Sequence, residues 1–452
     1  MKNKREKQEG LQLGDLIRVE GLKKPEGKNV QVGLSTPEKF MTDVSSRIET
    51  DRDVTAGGVA ELMKGVKGAV EKPQRANYFG DDLSWEEYQA IPNLQENGQI
   101  CEGIEKGNIK EMGKLTYLPR RTAGTLVAHS GESGLYFPNL KSLGLGAAVE
   151  LGKCTHGLSI PHLKNISTEV AAELIKCGES LALDGLLNLD LVTARLLVQH
   201  KGTLMLSGLT GLSTEVAEEL GKFSGELHLQ GVLHLNREEA AGLAKHTGPL
   251  DLSGLLTLNP AEAEELCKHN DDLLLHGLTE VSDETAGFLG GFKGASLGLA
   301  GLKSLTVMAA RNLSKYKGYL VLSGLNTLNV GVAKELGKHQ GELVFFGLTD
   351  LTPEVAKGLE KHQGRLDFYT LTSLGPKVAR SLAKVKGDLY LGHLKSLTDE
   401  EAKELGKHSG KLFLTDLSYL TPAGAKALAK HRGKINCKPH IQEQLDRYKN
   451  EK

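Results

Sequence analysis

The sequence predicts an α/β fold, a solenoid of short coils with a parallel sheet on its concave face and short helices on its convex face. Three observations carry it. A Leu-x-Leu pair recurs from Leu135, Leu158, Leu181, Leu204, Leu227, Leu250 and Leu273 to Leu297, Leu320, Leu343, Leu366, Leu389 and Leu412, then once more as Ile435-x-Cys437. The step is 23 residues, except one of 24 between Leu273 and Leu297, which makes 14 coils. Each coil also holds an Ala and a Leu three residues apart, from Ala123/Leu126 through Ala217/Leu220 and Ala333/Leu336 to Ala425/Leu428. A unit with one short strand, a turn and one short helix cannot bury its own apolar face. Stacked neighbours bury it for one another, so the chain extends in one dimension.

Each element follows from its residues. Leu-x-Leu is a strand whose alternate side chains point inward. A Gly commonly follows the strand, as at Gly208, Gly254 and Gly347, and marks where the chain turns away. Ser, Thr or Asn then caps a helix, with Pro at the first helical position in Thr352-Pro353, Thr421-Pro422 and Asn259-Pro260. Thr398-x-x-Glu401 has capping-box spacing. The Ala and Leu three apart share one helix face, with Ala at the closest approach to the sheet and Leu as the core knob. Gly225, Gly341 and Gly410 read as helix stops.

Composition narrows the function. Gly is 54 of 452 residues, while aromatics are only 5%, with one Trp. Leu and Ala are therefore expected to fill a thin core. Lys+Arg number 56 against 57 Asp+Glu, unlike the strongly basic domains that bind nucleic acid. Five Cys without a CxxC form neither a disulfide framework nor a zinc pattern. No apolar run nears the roughly 18 residues of a membrane span, and the basic start MKNKREKQEG lacks a following apolar core. A cytoplasmic, monomeric chain without metal or other cofactor is the expectation.

The spacing Leu-x-Leu-x-x-Leu-x-x-Leu, as in Leu412, Leu414, Leu417 and Leu420, resembles that of leucine-rich-repeat proteins. The helix text AGAKALAKH, Ala423 to His431, is similar to the bacterial, ribonuclease-inhibitor-like α/β subclass. The resemblance covers about residues 115–437. The family's turn asparagine is generally replaced here by Leu, as at Leu325 and Leu348. The resemblance implies protein binding.

Several residues compete as sites. His129, His200, His246, His269, His339, His362, His408 and His431 share one slot near the helix end. The same slot holds Cys154, Cys177, Phe223, Phe292, Tyr316 and Val385, so it reads as a packing position rather than a metal ladder, with the two Cys as free thiols. Gly294-Ala-Ser296-Leu-Gly298 matches a nucleophile-elbow pattern but lies between helix and strand, the wrong context. No catalytic residue is assigned. The concave strand positions are mixed in the early coils (Tyr136, Ser159, Ala182, Met205, His228, Asp251) and become apolar and aromatic later. Tyr319, Val321, Val344, Phe346, Arg365, Asp367, Tyr369, Tyr390 and Phe413 are the expected partner-binding residues, rimmed by Glu342, Asp388 and Lys411. A contiguous apolar patch marks a binding site, and aromatics lead interface hot spots. Two other readings stand beside it: strands simply favour aromatics, or the N-terminal region covers this face.

The sequence therefore reads as a non-catalytic scaffold gripping a protein partner. The alternatives are a self-assembling structural protein, or an adaptor or enzyme whose activity lies in residues 1–114. Residues 1–34 read as a disordered or decayed-repeat tail and 35–114 as a helical cap or small module. Helices are expected near 37–49, 55–70 and 85–91, with Trp85, Tyr88 and Ile91 packing on the first coil. Residues 438–452 read as a capping helix with Ile441, Leu445 and Tyr448 on one face.

Overall fold

A computed structural model describes residues 94–449. The repeat-like stretches at 11–19 and 30–38, the helices expected near 37–49, 55–70 and 85–91, and Trp85, Tyr88 and Ile91 lie outside the described residues. The described part opens with a helix, Leu94–Glu105, a 3-10 turn, Ile109–Lys114, and a second helix, Arg120–His129. Asn97 ties the first helix to the chain ahead of the first coil: its Nδ2 donates to the Tyr117 carbonyl at 2.9 Å, and its Oδ1 accepts from the Thr116 amide at 2.9 Å. Ile100, Cys101 and Ile104 are buried beside Leu115 and Leu118.

Fourteen strands follow in one parallel sheet whose spatial order is the sequence order. They are β1 (Leu135–Tyr136), β2 (Leu158–Ser159), β3 (Ser180–Ala182), β4 (Thr203–Met205), β5 (Leu227–His228), β6 (Leu250–Asp251) and β7 (Leu273–Leu274). β8 (Ser296–Gly298), β9 (Tyr319–Val321), β10 (Leu343–Phe345), β11 (Leu366–Phe368), β12 (Leu389–Tyr390), β13 (Leu412–Leu414) and β14 (Ile435–Cys437) complete it. The register pairs each strand Leu with its equivalent one repeat on, as Leu343 with Leu366. The 24-residue step keeps that register, Leu273 with Leu297. Between strands lie short helices such as Thr214–Leu220 and Pro353–Leu359, which run from the cap to the repeat Leu. Thr352 and Thr421 accept cap hydrogen bonds from Val355 and Gly424, and Thr398/Glu401 and Asn259/Glu262 form capping boxes. After β14, helix Pro439–Lys449 buries Ile441 and Leu445 against the last coil.

The Ala and Leu of each helix are buried, as at Ala217/Leu220 and Ala333/Leu336. The core takes more aromatic side chains than expected: Phe137, Phe223, Phe292, Tyr316, Phe345 and Phe368 are all buried. Five of them, all but Phe137, stack on rings of adjacent coils, where a flat ring in one coil fits the coil-to-coil spacing.

Gly208 and Gly254 lie in the turns that follow their strands, as expected, but the helix-stop reading needs correcting. Helices end at the repeat Leu, five residues before glycines such as Gly225, and among described glycines only Gly107 and Gly131 take positive φ. The repeat glycines serve close approach of neighbouring coils. A Cβ at Gly364 would stand 1.8 Å from the Gly341 carbonyl oxygen, and one at Gly254 would stand 1.9 Å from that of Gln230.

The His slot is a packing column. Phe223, His246, His269, Phe292, Tyr316, His339 and His362 stack face to face, centroids 5.8 to 6.4 Å apart. Val385 interrupts the column, and His408 and His431 resume it at 6.0 Å. His129 departs from the reading. It ends the helix Arg120–His129, is exposed, and bonds the Thr125 carbonyl of its own turn. Cys154 and Cys177 are buried free thiols. On the helical side, buried glutamates clamp adjacent coils. Glu335 takes Arg311 from the preceding helix at 3.3 Å and its own coil's Lys338 at 2.6 Å, and Glu219 and Glu404 repeat the arrangement.

Candidate functional site

The period-2 alternation of each strand sends the repeat leucines into the core and their neighbours to the open sheet face. In β9 to β13 those neighbours form two adjoining rows. In one, Phe346 meets Tyr369 edge to face at 4.9 Å, and Tyr369 meets His393 the same way at 4.6 Å. In the other, Tyr390 lies flat on Phe413 at 3.7 Å, and the Arg365 guanidinium sits 3.6 Å above the Tyr390 ring. Arg365 is held from both sides, by Asp367 at 2.8 Å and Glu342 at 3.5 Å. Lys411 pairs with Asp388 at 3.5 Å on the rim.

Exposure sorts the expected contact residues. Tyr369 is 51% exposed and Phe346 39%. Tyr319, Val321, Arg365, Tyr390 and Phe413 are half-buried. Val344 and Asp367 lie beneath the surface instead of on it, at 0% and 5%. In the register Val344 is flanked by Val321 and Asp367, and Asp367 by Val344 and Tyr390, with Arg365 bonded to its carboxylate. Burial pushes the Asp367 carboxyl above its ordinary range, while Arg365 pulls it back. One Asp367 oxygen has no hydrogen-bond partner, nor has the Arg365 Nε. Burial likewise raises the Tyr319 phenol.

His393 belongs to the aromatic row but was not singled out in the sequence, because it lies in the arc after β12, outside the strand positions. A second cluster was also missed. Asp251 on β6 is buried and accepts from Gln230 Nε2 at 2.6 Å and the Ser253 amide at 2.9 Å, and His228 Nδ1 lies 3.3 Å away. Burial opposes its ionisation, but these hydrogen bonds dominate and hold it down at about 2. The bond to Asp251 in turn raises the His228 imidazole. His and Asp one repeat apart on consecutive strands was the available signal.

The elbow-like Ser296 stands at the first position of β8, not at a strand-to-helix turn. Among the described residues, no group of three or more His, Cys, Asp or Glu is placed to hold a metal ion, and no helix is long and apolar enough to cross a membrane.

Fourteen parallel strands in sequence order, each followed by a short helix and stacked on the repeat leucines, give this chain the α/β solenoid fold of leucine-rich-repeat structures. No family model and no curated protein matches the sequence. Similar solved structures include a leucine-rich-repeat protein of Leptospira interrogans, 19% identical over 75% of this chain and 92% of that one, TM-score 0.35. An internalin of Listeria monocytogenes is 16% identical over 66% of this chain and 86% of its own, TM-score 0.31. Toll, in its complex with Spätzle from Drosophila, is 14% identical over 62% of this chain and 39% of its own, TM-score 0.36.

Proposed function

We propose that this chain is a non-catalytic scaffold that binds a protein partner on the open sheet face, centred on β9 to β13. The observation that carries the reading is the exposed, mutually packed row of Phe346, Tyr369 and His393 beside the Arg365–Tyr390–Phe413 stack. β-propensity accounts for aromatics in strands, but not for large rings left in water next to a guanidinium held rigid by two carboxylates. Rings already ordered lose little freedom on binding, which favours affinity. Val344 and Asp367 shape this floor from below. Tyr319, Val321, Arg365, Tyr390 and Phe413 supply its half-buried contacts.

Covering the exposed parts of Phe346 and Tyr369 would gain about 2 kcal/mol each from burial of apolar surface. Losing both is then worth about 4 kcal/mol, roughly a thousandfold in Kd. The test is affinity capture from the native cell with the wild-type chain and with Phe346→Ala/Tyr369→Ala. Proteins retained by wild type and lost by the variant, at an unchanged melting temperature, support the reading. An unaltered set of captured proteins overturns it.

A further inference from the structure

Resting on that reading, we propose that the partner lays a basic, extended segment across the open face from β3 to β12, with Lys or Arg side chains against its acids and rings. The outward positions beside the repeat leucines, from β3 through β10, hold Asp184, Glu226, Asp251, Asp272 and Glu342, and neither Lys nor Arg. The imidazoles there offset only part of this charge: His228, whose charged form its acidic neighbours favour, can balance at most one of Glu226 and Asp251, and His276 Nδ1 accepts from the Ala300 amide. A second observation is independent of that column. Arg365 can neutralise only one of Glu342 and Asp367, and Asp367 is 5% exposed with one oxygen unpartnered. One negative charge of the Glu342–Asp367 pair therefore remains uncancelled at β10 and β11, the strands that lead into Phe346 and Tyr369. Ring faces attract cations, and the remaining carboxylate charge near them adds to that attraction.

The sign reverses at the end of the aromatic block, where Lys411 and then Lys434 occupy the outward positions of β13 and β14. That change marks the limit of the basic footprint. From Asp251 on β6 to Asp367 on β11 is five strand steps, about 24 Å, which an extended chain crosses in about seven residues.

The test pans random peptides of about 16 residues, long enough to cross that distance, on phage against the full-length chain. Enriched peptides are synthesised and titrated into wild type, into Glu226→Gln/Asp272→Asn, which alters only partly or fully exposed acids, and into Phe346→Ala/Tyr369→Ala. Enriched sequences rich in Lys and Arg, binding the acid-to-amide variant about tenfold more weakly and weakening with salt, support the proposal. Neutral or acidic sequences, or an unchanged affinity for the acid-to-amide variant, overturn it. If such peptides still lose binding to the aromatic variant, the open-face reading survives alone. Indifference to both variants, or no enrichment, overturns both.

Discussion

Replacing His362 by Phe measures what one ring of the buried column does to stability in mild acid. His362 is fully buried, with its Nε2 at 3.1 Å from the Arg365 carbonyl and its Nδ1 unpartnered. A carbonyl only accepts, so Nε2 carries the proton and the ring is neutral. Burial chiefly, with the neighbouring His339 ring, pushes its pKa down to about 4, although the Arg365 carbonyl bond favours the charged form. Unfolded, the ring titrates near 6.5. Above that pH neither state binds the proton, and the stability is complete. As pH falls, the unfolded chain takes up a proton that the native chain refuses, so stability is lost from about pH 6.5 down to about pH 4, where the loss levels off. A depression from 6.5 to about 4 amounts to about 3 kcal/mol in all, of which about 2 kcal/mol falls between pH 7 and pH 5. Phe223 and Phe292 show that the slot accepts Phe. The lost Nε2 hydrogen bond costs about 1 kcal/mol at both pH values and cancels in the comparison. Urea unfolding followed by circular dichroism, at pH 7 and pH 5, should show wild type losing about 2 kcal/mol more than His362→Phe between the two. An equal loss in both proteins would refute the buried neutral ring.

Two further outcomes follow from the coil geometry and the thiols. Gly364→Ala should cost about 3 kcal/mol, because its Cβ would meet the Gly341 carbonyl oxygen at 1.8 Å, whereas Gly375→Ala, with nothing within 4 Å, should stay within about 0.5 kcal/mol; thermal unfolding separates them. Burial pushes the Cys101 thiol up to about 11 and those of Cys177 and Cys267 to about 12, so at pH 8 none of the three should react with a thiol reagent until denaturant is added. Rapid native labelling of any of them would show its coil opening in solution.

The strands and helices were legible because they repeat. Leu135 to Ile435 mark every strand, and the Ala/Leu pairs every short helix of the array, since a stacked coil has few ways to hide its leucines. What one coil does alone was harder to read. Gly254 sits in the turn expected of it and Gly364 is no helix stop, yet both answer to carbonyls in the coil before. His129 shared its neighbours' spacing, but among the described residues no coil precedes it to roof it. Phe345 and Phe368 escaped notice because they occupy a Leu position and stack inside. At the candidate surface, alternation placed Tyr369 and Phe346 outward, but it could not show that Val344 and Asp367, on the same face, are buried among their strand neighbours. Nor could it reveal His393, which reaches the row from an arc.

The gap at Val385 has a mechanical consequence. Each coil holds only the coils beside it, so tension applied at the two ends passes through every interface in series, and the weakest one yields first. The interfaces on either side of Val385 lack the ring-on-ring contact that joins His339 to His362 and His408 to His431. A pulled chain should part there before it parts within either ring stack. Each 23-residue coil then released adds about 80 Å of contour length, a sawtooth whose tooth spacing is the repeat itself.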